Sequence, residues 1–266
     1  MTATDVLIIV FIGLAGGVSG GLLGIGGSIV MIPLLTLSRG PNQHLYQAAC
    51  MIVNVVVAVG ASIRHFKGGT IRRDYFRWML LAAAIAVIVG VVVSNVVESN
   101  NLKMLFGVFL IYTGAAELGR VLRREPDAEA TTVPASAPRA MTIGGLTGFV
   151  SGLLGIGGGT VAVPLLRSLA RLPMRQAIGT SAAVMTLAST VGAVAKNATI
   201  DSHSAPDGTQ LTLWLSLGLA GLLTVPALFG AVLGAHLTYR LPLNATRLVF
   251  VALIALAGLR MMGVLG

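Results

Sequence analysis

The chain has 266 residues, 55% hydrophobic and only 10% charged, with a mean hydropathy of +0.90. A soluble domain carries about 25% charged residues, so this chain has too little polar surface to be one. The net charge of +9 does not point to nucleic acid: the basic residues sit in short connections between apolar runs, where they set membrane topology.

In chain order, the start "MTATDVLIIV" has no basic segment and does not read as a signal peptide; the first basic residue is Arg39. Four apolar elements follow, at about 6–37, 43–63, 75–97 and 102–121. The stretch 123–140, "RREPDAEATTVPASAPRA", mixes Pro, Ala, Thr and charge and reads as a flexible linker. Four more elements follow at about 141–170, 174–197, 210–238 and 243–264. Most match the roughly 20 residues of a membrane helix, the economical form where lipid offers backbone groups no partner. The expectation is an all-α integral membrane protein with repeats at 1–122 and 141–266. The single cysteine, Cys50, lies in an apolar run and reads as a small hydrophobe.

The repeats are written almost identically at their leading elements. "GLLGIGGSIVMIPLL" at 21–35 and "GLLGIGGGTVAVPLL" at 152–166 agree at 11 of 15 positions: Gly21, Leu22, Leu23, Gly24, Ile25, Gly26, Gly27, Val30, Pro33, Leu34 and Leu35. Gly13, Gly17 and Gly21 have the spacing of a helix-packing face. Gly24, Gly26 and Gly27 are crowded more closely than packing needs, and each costs a helix about 1 kcal/mol relative to Ala. The leading elements are also too long for one upright helix, so a break is expected in each.

Charge gives the topology. Arg64, Lys67, Arg72, Arg73 and Arg77 follow the second element, and Arg120, Arg123, Arg124 and Arg139 the fourth. In the second half Arg167, Arg171 and Arg175 follow the first element, and Arg240 and Arg247 the third. The phase of positive connections therefore flips between halves. Each leading element then enters and leaves on one side, giving six spans plus two re-entrant hairpins in inverted repeats. Both termini lie outside and the 123–140 linker is cytoplasmic. The competing topology is eight spans in parallel repeats.

A helix that begins inside the membrane presents unpaired N–H groups and a partial positive charge. Glycines let a ligand reach those groups. Two facing breaks would cradle a small anion without a buried Lys or Arg. The candidate binding residues are Gly24, Gly26, Gly27, Ser28, Asn54, Gly155, Gly157, Gly158, Gly159, Thr160, Thr180 and Ser181. Asn54 stands out because an amide within an apolar run needs a partner. Arg64, His65 and Lys196 sit at ends of the second elements; snorkelling to the interface is their ordinary role, and an anion-attracting vestibule or gate the sharper one. His236 and Glu117 are the groups able to carry a proton, but no chain of acids and histidines demands proton coupling.

Ser19 in "GVSG" has a protease-like spacing, yet the second copy reads "FVSG" and no histidine is placed as its base. No H-x-x-x-H, C-x-x-C or membrane aspartate pair occurs, so neither an enzyme nor a metal or cofactor site is expected.

The doubled glycine–proline motif, "GTS" at Gly179–Ser181 and "RHFKGG" after the second element resemble the TauE/SafE family of sulfite or organosulfonate exporters. The resemblance covers essentially the whole chain apart from the linker. It implies a multi-pass permease of the bacterial plasma membrane, with sulfite or a sulfonate as its partner and a site built on the two glycine motifs and "GTS". The first half has Cys50–Met51–Ile52 where "GTS" would stand, and Lys196–Asn197 replace the His ending in the second. Transport follows as the expected function, by one repeat rocking against the other. The alternatives are a permease for another solute or a cation, and a non-transporting accessory subunit. A homodimer is compatible with all of these and selected by none.

Overall fold

The computed structural model describes residues 2–23, 26–123, 133–237 and 243–264. Its helices are α1 (Ala3–Leu23), α2 (Ser28–Arg39), α3 (Gln43–Lys67), α4 (Arg73–Val96) and α5 (Ser99–Arg123), then α6 (Ala137–Leu154), α7 (Gly159–Leu169), α8 (Met174–Ala198), α9 (Leu213–Leu237) and α10 (Leu243–Met261). A short 3₁₀ turn, Ile200–Ser202, follows α8. Each leading element is thus two helices, broken at the glycines. Among the described residues, six helices are long and apolar enough to cross a membrane: α1, α3, α4, α5, α8 and α9. The expected six had α10 and not α1; α1 is itself long enough to span, and α10 enters this count only by its described part. Only Leu248–Met261 of α10 counts as a described apolar stretch, whereas α1 has 21 residues and is longer than a half-helix.

The packing repeats with the sequence. α1 lies along α9 and α4 along α6; α3 pairs with α8 and α5 with α10. α3 also meets α9 as α8 meets α4. The Gly13–Gly17–Gly21 face lies on the backbone of Leu223, Ala227 and Ala231, and Gly144, Gly148 and Gly152 lie in the same way on Met79, Ala83 and Val87. Helices in lipid gain little from burying apolar surface against each other, so close contact through small residues has to supply the attraction. The packing role of the first stripe therefore holds, and its copy 131 residues later does the same work.

α3 and α8 run antiparallel. Ser62 Oγ meets Thr186 Oγ1 at 2.8 Å near one end, while Asn197 Nδ2 donates to Ala48 O at 3.3 Å and Lys196 Nζ meets His44 Nδ1 at 3.0 Å near the other. One end of the bundle gathers the α3–α4 loop, the start of α8 and the end of α7. There the Arg72 amide donates to Thr180 Oγ1 at 3.0 Å, and Tyr75 Oη donates to Val133 O at 2.9 Å. Val133 N in turn reaches Ala170 O at 3.2 Å, anchoring the last part of the 123–140 stretch. Residues 124–132 of that stretch lie outside the described residues, and α6 begins at Ala137, within it. At the other end of the bundle, Arg39 of α2 pairs with Asp5 of α1 at 3.0 Å, so α2 turns back toward the start of α1.

Candidate functional site

The two breaks meet in the interior. Gly26 has φ +88°, and a Cβ there would lie 3.6 Å from Ile156 O of the other break and 3.8 Å from Asn54 Oδ1. Gly155, Gly157 and Gly158 have φ of +75°, +72° and +85°, a left-handed backbone that costs other residues roughly 1–2 kcal/mol. These four glycines are therefore conformationally required. Gly24 lies outside the described residues.

α2 and α7 start at these breaks. Gly27 O accepts the amides of Val30 and Met31 at 3.1 and 3.0 Å, and Gly158 O those of Val161 and Ala162 at 3.1 and 2.9 Å. The amides before these first turns have no acceptor within their own helix. Residues 26–30 and 154–160 are buried, so both helix N-termini are enclosed. The positive ends of two dipoles thus approach one interior point.

Asn54 joins the breaks. It is fully buried, and its Nδ2 donates to Ser28 Oγ at 2.9 Å and to Gly155 O at 3.4 Å. Its Oδ1 is buried without a partner. Asn54 is eleven residues along α3, roughly 17 Å at 1.5 Å per residue, just short of the middle of that helix. Gly27 and Ser28, with Gly159 and Thr160, open α2 and α7. Ten of the proposed binding residues therefore converge: Gly26, Gly27, Ser28, Asn54, Gly155, Gly157, Gly158, Gly159 and Thr160 around the breaks, with Ser181 a turn away. Ser181 is buried and unpartnered, one helical turn before Met185, whose Sδ would lie 3.7 Å from a Cβ on Gly26. Thr180 points elsewhere, accepting the Arg72 amide at the arginine-rich end.

Two further polar residues beside the second break escaped the sequence reading. Thr147 and Ser151 of α6 are buried, their hydroxyls have no partner, and both flank Gly158. The signal was available: at an offset of 131 they replace Gly16 and Gly20, so at these two positions only the second copy carries hydroxyls. Ser19 donates to Ala15 O and Gly16 O at 3.0 and 2.9 Å, within its own helix, which is no arrangement for a nucleophile.

The vestibule group is not one group. Arg64 is exposed, and His65 Nδ1 meets Thr70 Oγ1 at 2.9 Å beside Gly179. Lys196 stands at the opposite end of the antiparallel pair. It does not snorkel: it is fully buried and bonded to His44, Ser94 and Asn95. Its place 131 residues after His65 explains the separation, since equivalent positions of antiparallel helices fall at opposite ends. At the arginine-rich end, Arg72 holds Asp74 through Nε and Nη2 at 3.0 and 2.6 Å. The Asp74 carboxylate raises the Arg72 guanidinium above its ordinary range. His236, one of the two groups able to carry a proton, is exposed and faces Val232 O of its own helix at 2.9 Å.

Comparison with known proteins agrees with this architecture. The sulfite exporter TauE/SafE family matches residues 9–261. "Probable membrane transporter protein MamO" of Paramagnetospirillum magneticum is 25% identical over 98% of this chain; the chain spans 45% of that protein's length. A "Probable membrane transporter protein" of Methanocaldococcus jannaschii is 25% identical over 96% of this chain and 94% of its own length. "Probable membrane transporter protein YunE" of Bacillus subtilis is 28% identical over 71% of this chain and 77% of its own. No solved structure matches. A match over nearly the whole chain, on a helical fold with six membrane-length helices, places the protein in the TauE/SafE family of membrane transporters.

Proposed function

We propose that the protein exports small sulfur-containing oxyanions, sulfite or organosulfonates, across the cell membrane. The anion sits between the N-termini of α2 and α7. The observation that supports this is the burial of two helix starts against each other, bridged by Asn54 and reached through glycine backbone. Preorganised N–H groups in a water-poor interior bind negative charge without a fixed cation. The antiparallel α3–α8 pair and the flipped charge pattern support inverted repeats. The hairpin of α1 and α2, closed by Arg39 and Asp5, supports re-entry from one side. The arginine-rich end, with the 123–140 linker, is then cytoplasmic. Exchange between sides follows from one repeat rocking against the other.

Sulfite and sulfonate flux in proteoliposomes tests this. Wild-type vesicles are expected to move at least one of them, and vesicles carrying Gly26→Leu with Gly157→Leu none. Flux equal to that of protein-free vesicles overturns the proposal. The hydroxyls give a finer check. Thr147→Val with Ser151→Ala removes two buried donors at about 1 kcal/mol each, so anion affinity, read by ligand-induced thermal shift, is expected to fall about 10- to 30-fold.

One observation favours a second reading. The unpartnered Asn54 Oδ1 beside Gly26 is an acceptor, and with backbone carbonyls it would suit a cation. Competition of anions against cations in the same thermal-shift measurement separates the two.

A further inference from the structure

The polar cluster at the end of the bundle remote from the arginine-rich loop has no part in the anion site as drawn so far. Lys196 is fully buried. Its Nζ has three partners: His44 Nδ1 at 3.0 Å, Ser94 Oγ at 2.9 Å and Asn95 Oδ1 at 2.8 Å. An ammonium has three donors, so its hydrogen bonds are complete, yet no partner carries negative charge. His44 is itself buried, and its Nδ1 faces the lysine. His203 stacks on His44 with ring centroids 4.1 Å apart, and its two nitrogens face Thr199 O at 3.0 Å and Asn95 O at 3.1 Å.

Among the described residues, three bases therefore meet without a carboxylate. The acids at this end are Asp5, paired with Arg39, and the exposed Glu98, Asp201 and Asp207, and Asp201 Oδ1 accepts the Leu213 amide at 3.2 Å. α3 contributes His44, α4 only the neutral Ser94 and Asn95, and the turn after α8 contributes His203. The C-termini of α4 and α8 supply partial negative charge, which tempers the cost of the buried cation without cancelling it.

The cluster is wired to the second break. Ser94 Oγ donates to Gln47 Oε1 at 2.9 Å, and Gln47 Nε2 donates to Leu153 O at 3.2 Å. A Cβ on Gly155 would lie 2.8 Å from the Gln47 side chain. A run of hydrogen bonds, all donated in one direction, thus leads from Lys196 to the backbone that begins the glycine break.

We propose that Lys196 and His44 form a proton-carrying pair that takes up one proton with each oxyanion the protein moves; this rests on the anion reading above. Two bases that share one hydrogen bond hold one proton between them. With that proton the pair is a buried positive charge lacking a counter-ion, and an anion at the break, about 15 Å away along α3, offsets part of its cost through the Ser94–Gln47 run. Binding of anion and proton are then reciprocally linked: the anion draws the proton in, and affinity rises as pH falls. On anion binding one N–H bond forms on the pair, with the proton arriving from water. On release the same bond breaks and the proton returns to water.

The experiment loads proteoliposomes with a pH-sensitive dye, clamps the membrane potential, and imposes inward gradients of thiosulfate, sulfate and methanesulfonate, none of which titrates near neutral pH. Wild type is expected to acidify the lumen by about one proton per anion moved. Lys196→Arg keeps a permanent charge, and its ratio is expected to fall to zero. Where that variant moves too little anion, calorimetry in two buffers of different ionisation heat gives protons taken up per bound anion, again expected near one for wild type and zero for the variant. Thermal unfolding in detergent checks that the variant is folded. Wild-type flux without lumenal acidification overturns proton coupling and leaves the oxyanion reading standing, as does an undiminished ratio in Lys196→Arg for the assignment to this pair. A lysine that merely ties α8 to α3 and α4 gives the first of those results. Absence of flux for every oxyanion removes the functional reading and this proposal with it.

Discussion

Asn54→Asp is expected to lower oxyanion affinity about 1,000-fold while leaving the protein folded. The substitution keeps the size of the side chain and changes its charge. Asn54 Oδ1 already lies beside Gly26 and its Nδ2 beside Gly157, so a carboxylate there faces both helix N-termini at the place proposed for the ligand. Two like charges about 4 Å apart in a medium of effective dielectric near 20 repel by about 4 kcal/mol, which is about three powers of ten in binding. The carboxylate also competes for the amides that open α2 and α7, so the site is self-occupied. Asn54→Ala separates the two effects. It strands Ser28 Oγ and Gly155 O without their donor, a loss of about 1–2 kcal/mol, but leaves the dipoles open; its affinity is expected to fall only about 10-fold. Ligand-induced thermal shift and vesicle flux read both variants. Because a cation site gains from an added carboxylate, tighter cation binding with unchanged anion binding in Asn54→Asp would reverse the sign of the proposed site.

The breaks were legible in the sequence because glycine is the cheapest way to write a positive φ, and the chain writes it twice. Gly26, Gly157 and Gly158 adopt that backbone where the crowding of glycines placed it. Asn54 was legible for a related reason, since an amide amid "MIVNVVVAVG" has no local partner and must find one across the fold. Lys196 was misread because its side chain looks the same in sequence whether it snorkels or is buried. What decides between them is the arrival of His44 and Ser94, 152 and 102 residues away in the chain. The polar pair Ser94–Asn95 inside "VVVSNVV" was the available hint. The vestibule grouping failed on geometry that no local pattern carries: residues equivalent by repeat are placed at opposite ends once α3 and α8 run antiparallel. The glycine stripes were legible as spacing, but their partners were not, because α4 and α9 show the stripes a plain backbone rather than a matching motif.

Those stripes carry the largest expected effect on stability. Gly148→Leu is expected to cost about 3 kcal/mol or more, while Gly145→Leu, three residues earlier on α6, costs nothing. A Cβ at Gly148 would overlap the Ala83 carbonyl and lie 2.7 and 2.9 Å from its Cα and carbonyl carbon. These are backbone atoms of a helix and cannot turn aside as a side chain can, so α4 and α6 must part along the contact. In lipid the lost van der Waals and Cα–H···O contacts are not replaced by a hydrophobic gain. A Cβ at Gly145 meets nothing within 4 Å, and removing a mid-helix glycine is worth up to about 1 kcal/mol. Thermal unfolding in detergent should place Gly148→Leu on the order of 10 °C below wild type and Gly145→Leu level with it or slightly above. The repeat makes the same forecast in the other half: Gly17→Leu meets the Ala227 backbone, whereas Gly221→Leu meets nothing within 4 Å. Each stripe joins the broken leading element of one repeat to the third element of the other, so parting them also displaces a helix N-terminus from the site. Flux is therefore expected to be lost with Gly17→Leu and Gly148→Leu and kept with Gly145→Leu and Gly221→Leu. Equal damage from all four would mean that leucine itself is harmful in these helices, and that the stripes do not hold the breaks in place.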